Sequence, residues 1–184
     1  LIIVGTVNMD ETTFSFSRKV LDRAMTIEMN EVDLYGGLTS RHEQIGKLNF
    51  EDLVGDKVEG VDVYQENQEV CNQAILYLQE INAVLEGTPF KIAYRTRNEF
   101  LLYVVNNLPY RKNSQGQEMT QSEVVARALD EITSMKILSR IEGDEEKVKA
   151  ELLASLKEVV SKMLPENMRD SSVSLAKLDE MEKK

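Results

Sequence analysis

The sequence predicts a mainly α-helical fold with a small α/β portion at its N-terminal end. From about residue 67 onward, apolar residues recur at spacings of three and four, which is the period of an amphipathic helix. Before that point, apolar runs at residues 1–7 and 25–29 have the composition of buried strands. We therefore expect an α/β piece at residues 1–29, a connection at 30–66 and an α-helical domain at 67–184.

The first region has the order strand, polar tip, short helix, strand. The run at 1–7 leads into polar residues that begin with Asn8. A short amphipathic segment then ends at Arg23, just before the second run at 25–29. Ligands of α/β proteins bind at the carboxyl ends of parallel strands, which is where Asn8 would stand.

The connection at residues 30–66 is the least regular part of the sequence. Glycines divide it into short apolar pieces. Alternation of apolar and polar residues at 58–63 favours a short strand or hairpin. Connections of this length often serve a function of their own.

The first two helices of the C-terminal region are bounded by helix-breaking residues. One helix begins near residue 67 and is stopped by Gly87 and Pro89. A second runs from about Arg95 to Asn107 and ends near Pro109.

Capping signals mark the helices that follow. Thr120 and Glu123 have the spacing of a capping box, in which each side chain accepts the other's backbone N–H. Acidic residues at 144–146 begin the next helix at the positive end of its dipole. Ser171 or Ser172 caps a last short helix, which completes a bundle of about five helices.

Composition excludes several classes of protein. The net charge of −10 argues against a surface devoted to nucleic acid. Cys71 is the single cysteine and lies in an apolar helical pattern, so we expect its side chain to be buried as a small hydrophobic group. The use of one unpaired cysteine favours a reducing, cytoplasmic compartment. The single histidine, His42, excludes a multi-histidine metal site. We see no signal peptide and no run long enough to span a membrane.

Residues 1–29 resemble the end of a AAA+ nucleotide-hydrolysing core, in the branch of the McrB-type restriction motor. In that family, a strand ends in an Asn called sensor 1, which orients the attacking water. Asn8 closes the matching Gly-Thr-Val-Asn sequence. An Arg before the last core strand acts across a subunit boundary as an arginine finger. Arg23, in Leu-Asp-Arg-Ala, matches that position, and Arg18 is a second candidate.

The helical region resembles the lid that follows a AAA+ core. Arg95 matches the sensor 2 Arg, which reaches the γ-phosphate from the lid, and Arg97 is the alternative. Residues 136–143 resemble a segment of restriction-associated relatives. The resemblance implies ATP or GTP with Mg²⁺ as cofactor and a homo-oligomer in the form of a hexameric ring. It also implies a nuclease subunit as partner, with DNA involved indirectly.

The phosphate-binding loop of such motors has the pattern G-x-x-x-x-G-K-[ST], because backbone N–H groups and the Lys cradle the phosphates. That pattern does not occur in the 184 residues, and neither does an apolar run ending in Asp-Glu. The resemblance therefore implies that the chain is the C-terminal part of a larger motor, inactive alone, with the magnesium ligands upstream.

The same residues also have ordinary structural explanations. Asn8 can close a turn, and Arg23 can pair with the acid beside it. Arg95 and Arg97 can pair with Glu99 or with acids on other helices. The alternative function is accordingly a non-catalytic, acidic helical module for protein interaction, in which residues 1–29 are a scaffold.

Overall fold

A computed structural model describes residues 3–7, 16–29, 46–47, 49–50, 54–141 and 150–183. The helices are α1 (Arg18–Leu21), α2 (Gly60–Tyr64), α3 (Gln68–Val84), α4 (Tyr94–Asn107), α5 (Gln121–Thr133), a π-helix (Ser134–Leu138), α6 (Ser139–Ile141), α7 (Ala150–Met163), α8 (Glu166–Arg169) and α9 (Val173–Met181). Every helix in these ranges is too short or too polar to cross a membrane.

The mainly helical assignment is confirmed, but the α/β portion has no support in the residues that the structure describes. Residues 3–7 and 24–29 form no β-ladder there, and Ile3 is 84% exposed. A strand is stable only when a neighbouring strand shares its backbone hydrogen bonds. The short helix predicted before Arg23 is present as α1.

Residues Gly60–Tyr64 form a helix, α2. The short strand or hairpin expected from the alternation at 58–63 is therefore wrong. The Asp62 carboxylate accepts the backbone N–H groups of Val58 (2.9 Å) and Glu59 (2.8 Å), which turns the chain into the helix. These hydrogen bonds lower the pKa of Asp62. The helix packs against α4, so the helical body includes residues that the sequence assigned to the connection.

Gly60 lies where α2 and α4 approach most closely, and we expect Gly60→Ala to destabilise the protein. A Cβ there would lie 2.8 Å from Asn98 Oδ1 and 3.1 Å from Leu101 Cδ1. Overpacking of this kind costs about 1–3 kcal/mol in the free energy of unfolding, measurable by urea denaturation. Gly55→Ala is the matched control, because a Cβ at that position meets no atom within 4 Å.

The helices α3 to α5 form the centre of the core, and the predicted limits of α3 and α4 and the predicted start of α5 are confirmed within a few residues. Helix α3 ends before Gly87, whose φ of +75° suits glycine. Cys71 is buried on α3, as expected, and burial raises the pKa of its thiol. The predicted capping box is present, since Glu123 N–H donates to Thr120 Oγ1 (3.3 Å) and Thr120 N–H donates to Glu123 Oε2 (2.9 Å).

The start of α9 is fixed by a buried carboxylate on α5. Asp130 Oδ1 accepts the Ser172 hydroxyl (2.6 Å) and the Ser174 N–H (3.1 Å), and Oδ2 accepts the Val173 N–H (2.9 Å). Ser172 Oγ in turn accepts the Leu175 N–H (3.1 Å), which confirms Ser172 as the cap. Burial raises the pKa of Asp130, and these hydrogen bonds oppose the shift without cancelling it.

Candidate functional site

The backbone on both sides of Arg23 is bound by one buried lysine. Lys136 lies in the π-helix, and its side chain is 0% exposed. Its Nζ donates to the carbonyl oxygens of Asp22 (3.1 Å) and Ala24 (2.9 Å). The same Nζ forms an ion pair with Glu99 Oε2 on α4 at 2.9 Å. A buried ammonium is tolerated only with such partners, so Lys136 joins the Arg23 region to two helices.

The π-helix contributes a further backbone contact. A π-turn shifts the hydrogen-bond register of a helix and is often found at functional sites. Here the Met135 carbonyl accepts the Thr26 N–H (3.3 Å) and the Ser139 hydroxyl (2.8 Å). The extended chain after Arg23 is thereby attached to the helical body by its backbone.

Charged side chains hold the same stretch, which we call the docked segment (residues 22–28). The Asp22 carboxylate lies 2.8 Å from Arg95 Nη1 and 3.6 Å from Arg140 Nη1. Arg140 is buried on α6, and Arg95 lies at the start of α4. At the other end of the segment, Lys177 of α9 forms an ion pair with Glu28. Together with the π-helix, four parts of the helical body therefore hold the docked segment.

Arg23 itself lies outside these contacts and is exposed. Its Nη1 donates to the Lys19 carbonyl oxygen (2.9 Å) at the end of α1, and a cation is favourable at that end of a helix. The two residues beside Arg23 are thus fixed to the helical body, while its guanidinium remains at the surface.

The structure separates the two candidates for the lid arginine. Arg95 is brought to the docked segment and pairs with Asp22, not with Glu99 as one alternative had it. Arg97 lies over the Tyr94 ring, 5.1 Å from its centroid, and binds Asn98 Oδ1 through Nε (3.2 Å) and Nη2 (2.7 Å). Arg95 is therefore the candidate that contacts the docked segment, at the residue before Arg23.

The other predicted residues lie wholly or partly outside the part of the chain that the structure describes. Asn8 lies outside the described residues, as do His42 and the acids at 144–146. The backbone of Arg18 belongs to α1, but its side chain is also outside the description.

Sequence reasoning missed the role of Lys136, Glu99 and Arg140. A signal was present, because Leu129, Ile132, Lys136 and Arg140 follow one another at helical spacing. Charged residues that continue an apolar stripe indicate a buried ion pair, since burial without a partner costs several kcal/mol.

The chemistry of this site suits a phosphate group. Arg23 is exposed and the Arg95 side chain is 52% exposed, and guanidinium N–H groups match phosphate oxygens in charge and geometry. Across the described ranges, no group of three or more His, Cys, Asp or Glu residues lies close enough to hold a metal ion. Arg23 and Arg95 therefore offer contacts to a phosphate.

Comparison with protein families gives one match, which covers residues 49–184 and bears the description "Domain of unknown function (DUF8727)". The match includes α2 to α9, and so Arg95, Lys136 and Arg140, whereas Arg23 lies before it. Neither a curated protein nor a solved structure matches the chain. Because the match spans well over half of the sequence, the chain belongs to the DUF8727 family.

Proposed function

We propose that this chain is the C-terminal part of a AAA+ nucleotide hydrolase and carries its arginine finger and helical lid. The sequence around Asn8 and Arg23 supports the proposal. The observation that carries it is that Arg23 is exposed while Lys136 binds the backbone carbonyls of the residues before and after it, Asp22 and Ala24. A finger requires a free guanidinium on a fixed backbone, because it must meet charge that develops at one position.

Arg23 acts on the site of the neighbouring subunit in this proposal. The bound nucleotide, ATP or GTP with Mg²⁺, supplies the γ-phosphoryl group. The Arg23 guanidinium leaves the Lys19 carbonyl and donates to the phosphate oxygens, which offsets their negative charge. Leaving Lys19 costs about 1 kcal/mol or less, since the hydrogen bond is exposed to water. Asn8 orients the attacking water in the same subunit that binds the nucleotide.

Arg95 couples the lid to the docked segment in this proposal. Its ion pair with Asp22 is partly exposed, and such pairs contribute about 0–1 kcal/mol. The guanidinium can therefore exchange the carboxylate for a γ-phosphate oxygen at little cost. Since Arg95 lies at the start of α4, this exchange would transmit the state of the nucleotide to the lid, while Lys136 keeps the Asp22 backbone attached.

The intact protein would form a ring, in which each Arg23 completes the next site. Six subunits is the number that the resemblance implies. The cycle would drive a nuclease subunit or a complex bound to DNA in a restriction or defence system, within the cytoplasm.

Mixing two inactive variants of the intact protein tests the shared site. Asn8→Ala impairs a subunit's own site, whereas Arg23→Ala impairs the neighbour's. In a 1:1 mixture, about a quarter of the interfaces combine an intact Asn8 with an intact Arg23. We expect each variant alone to be nearly inactive and the mixture to recover part of the turnover, measured as phosphate release.

Arg111→Ala is the matched control, because Arg111 is exposed and lies in the loop after α4, away from the docked segment. This variant should hydrolyse nucleotide like the wild type. A mixture that assembles but recovers no turnover would contradict the shared site. Wild-type turnover of both Asn8→Ala and Arg23→Ala would instead remove the catalytic roles of these residues and favour residues 1–29 as a scaffold, as in the alternative function.

A further inference from the structure

We propose that Lys136 is a positioning residue for Arg23: it fixes the backbone on both sides of the finger without touching the nucleotide. The role rests on the proposed function and extends it to a residue far away in the sequence. Lys136 is separated from Asp22 by 114 positions and from Ala24 by 112.

The hydrogen bonds of Lys136 determine how Arg23 is oriented. Peptide units are planar, so a bound Asp22 carbonyl also fixes the direction of the Arg23 N–H. The bound Ala24 carbonyl likewise fixes the peptide unit between Ala24 and Met25. Because both oxygens bind the same Nζ, at 3.1 and 2.9 Å, the Cα of Arg23 lies at the apex of a turn with little freedom to rotate. The Arg23 side chain leaves this turn toward α1, where its Nη1 donates to the Lys19 carbonyl oxygen.

Lys136 is itself held in place from two directions. Its backbone belongs to the π-helix, next to the Met135 carbonyl that accepts the Thr26 N–H. Its ammonium pairs with Glu99 on α4, the helix that also carries Arg95. The ion pair of Lys136 therefore joins the Arg23 backbone to the helix that carries Arg95.

Stability alone does not account for a lysine at this position. A buried ion pair is often no more stabilising than apolar residues of similar volume, because both charges lose their hydration. The neighbours of Lys136 in the chain, Met135 and Ile137, pack in or against the hydrophobic core. A methionine at position 136 would fill the same space but could not donate to the two carbonyls.

A double-mutant cycle in the intact protein tests the proposal. The pair Lys136→Met with Glu99→Gln removes both charges together, so no unpaired carboxylate stays buried. We expect the pair to lower kcat about 10²-fold, as for a catalytic group displaced by about 1 Å, with assembly and the KM for nucleotide unchanged. In the Arg23→Ala background, the same pair should lower kcat no further, because Lys136 acts through Arg23.

Amide hydrogen exchange gives a readout that does not depend on turnover. In the intact protein without nucleotide, the pair should accelerate exchange at Thr26 by about 10-fold or more, because the docked segment opens locally. The Val124 N–H, which donates to the Thr120 carbonyl in the first turn of α5, should keep its rate. Equal acceleration at both amides would indicate general destabilisation and overturn the proposal.

The outcomes separate this inference from the function beneath it. If Arg23→Ala lowers turnover but the pair lowers kcat equally with and without Arg23, Lys136 is not a positioning residue. The role of Arg23 as the finger is then unaffected. If Arg23→Ala alone changes nothing, the proposed function fails first. Should the pair lose cooperative thermal unfolding, Lys136→Arg replaces it, since the charge is retained while the donor geometry changes. The effect of Lys136→Arg on kcat is then compared with and without Arg23. A loss only in the presence of Arg23 supports the positioning role, and an equal loss in both backgrounds overturns it.

Discussion

Arg23→Ala in the intact protein is expected to lower kcat for nucleotide hydrolysis by about 10³-fold or more, the range that arginine fingers provide. The loss should fall on kcat and leave nucleotide affinity nearly unchanged, because Arg23 would contact charge that develops in the transition state of another subunit's site. Steady-state phosphate release and equilibrium binding of a fluorescent nucleotide measure the two quantities.

The variant Arg23→Lys sharpens this test. Lysine keeps the positive charge but lacks the planar fork of guanidinium, so we expect it to recover only a small part of the lost rate. Oligomeric state, followed by light scattering, should be that of the wild type. A loss of affinity as large as the loss of kcat would place Arg23 in nucleotide binding instead of transition-state stabilisation.

Asp130→Ala is expected to lower the free energy of unfolding by about 3 kcal/mol, the largest stability effect that we expect from one side chain. The substitution leaves the Ser172 hydroxyl and the N–H groups of Val173 and Ser174 without their acceptor at the start of α9. Urea denaturation measures the change. Asp170→Ala removes an exposed carboxyl nearby and should change stability by less than about 0.5 kcal/mol.

The pH dependence of stability identifies Asp130 as the cause. Burial raises its pKa, so the native state binds this proton more tightly than the unfolded chain does. The contribution of Asp130 to stability is therefore smallest at neutral pH and grows as the pH falls through its native pKa. Asp130→Asn cannot titrate, so the stability of the wild type relative to this variant should rise on acidification. A fall would contradict the assignment.

The features that the sequence predicted well depend on contacts within a few residues. The capping box of Thr120 and Glu123, the Ser172 cap and the Gly87 stop each act within one or two helical turns. Such signals keep their meaning in any tertiary surrounding. They account for the correct order of these helices, for the approximate limits of α3, α4 and α9 and for the start of α5.

The features that the sequence missed depend on distant partners. Alternation at 58–63 fits a strand, but the later helix α4 provides the surface on which α2 packs. The burial of Lys136 follows from its contacts with residues more than 100 positions away. Arg95 is the better match to the lid pattern and Arg97 the alternative, and they project about 200° apart around α4, so that Arg95 reaches Asp22.

The π-helix determines the direction in which the side chains that follow it project from the helix axis. One extra residue in a turn rotates everything after it by about 100°, and this rotation aims Arg140 at Asp22 while Lys136 reaches the carbonyls on both sides of Arg23. A deletion of one residue at 134–138 would give an uninterrupted α-helix and turn Arg140 away. The number of residues in this turn therefore determines whether the Arg140 guanidinium faces the docked segment.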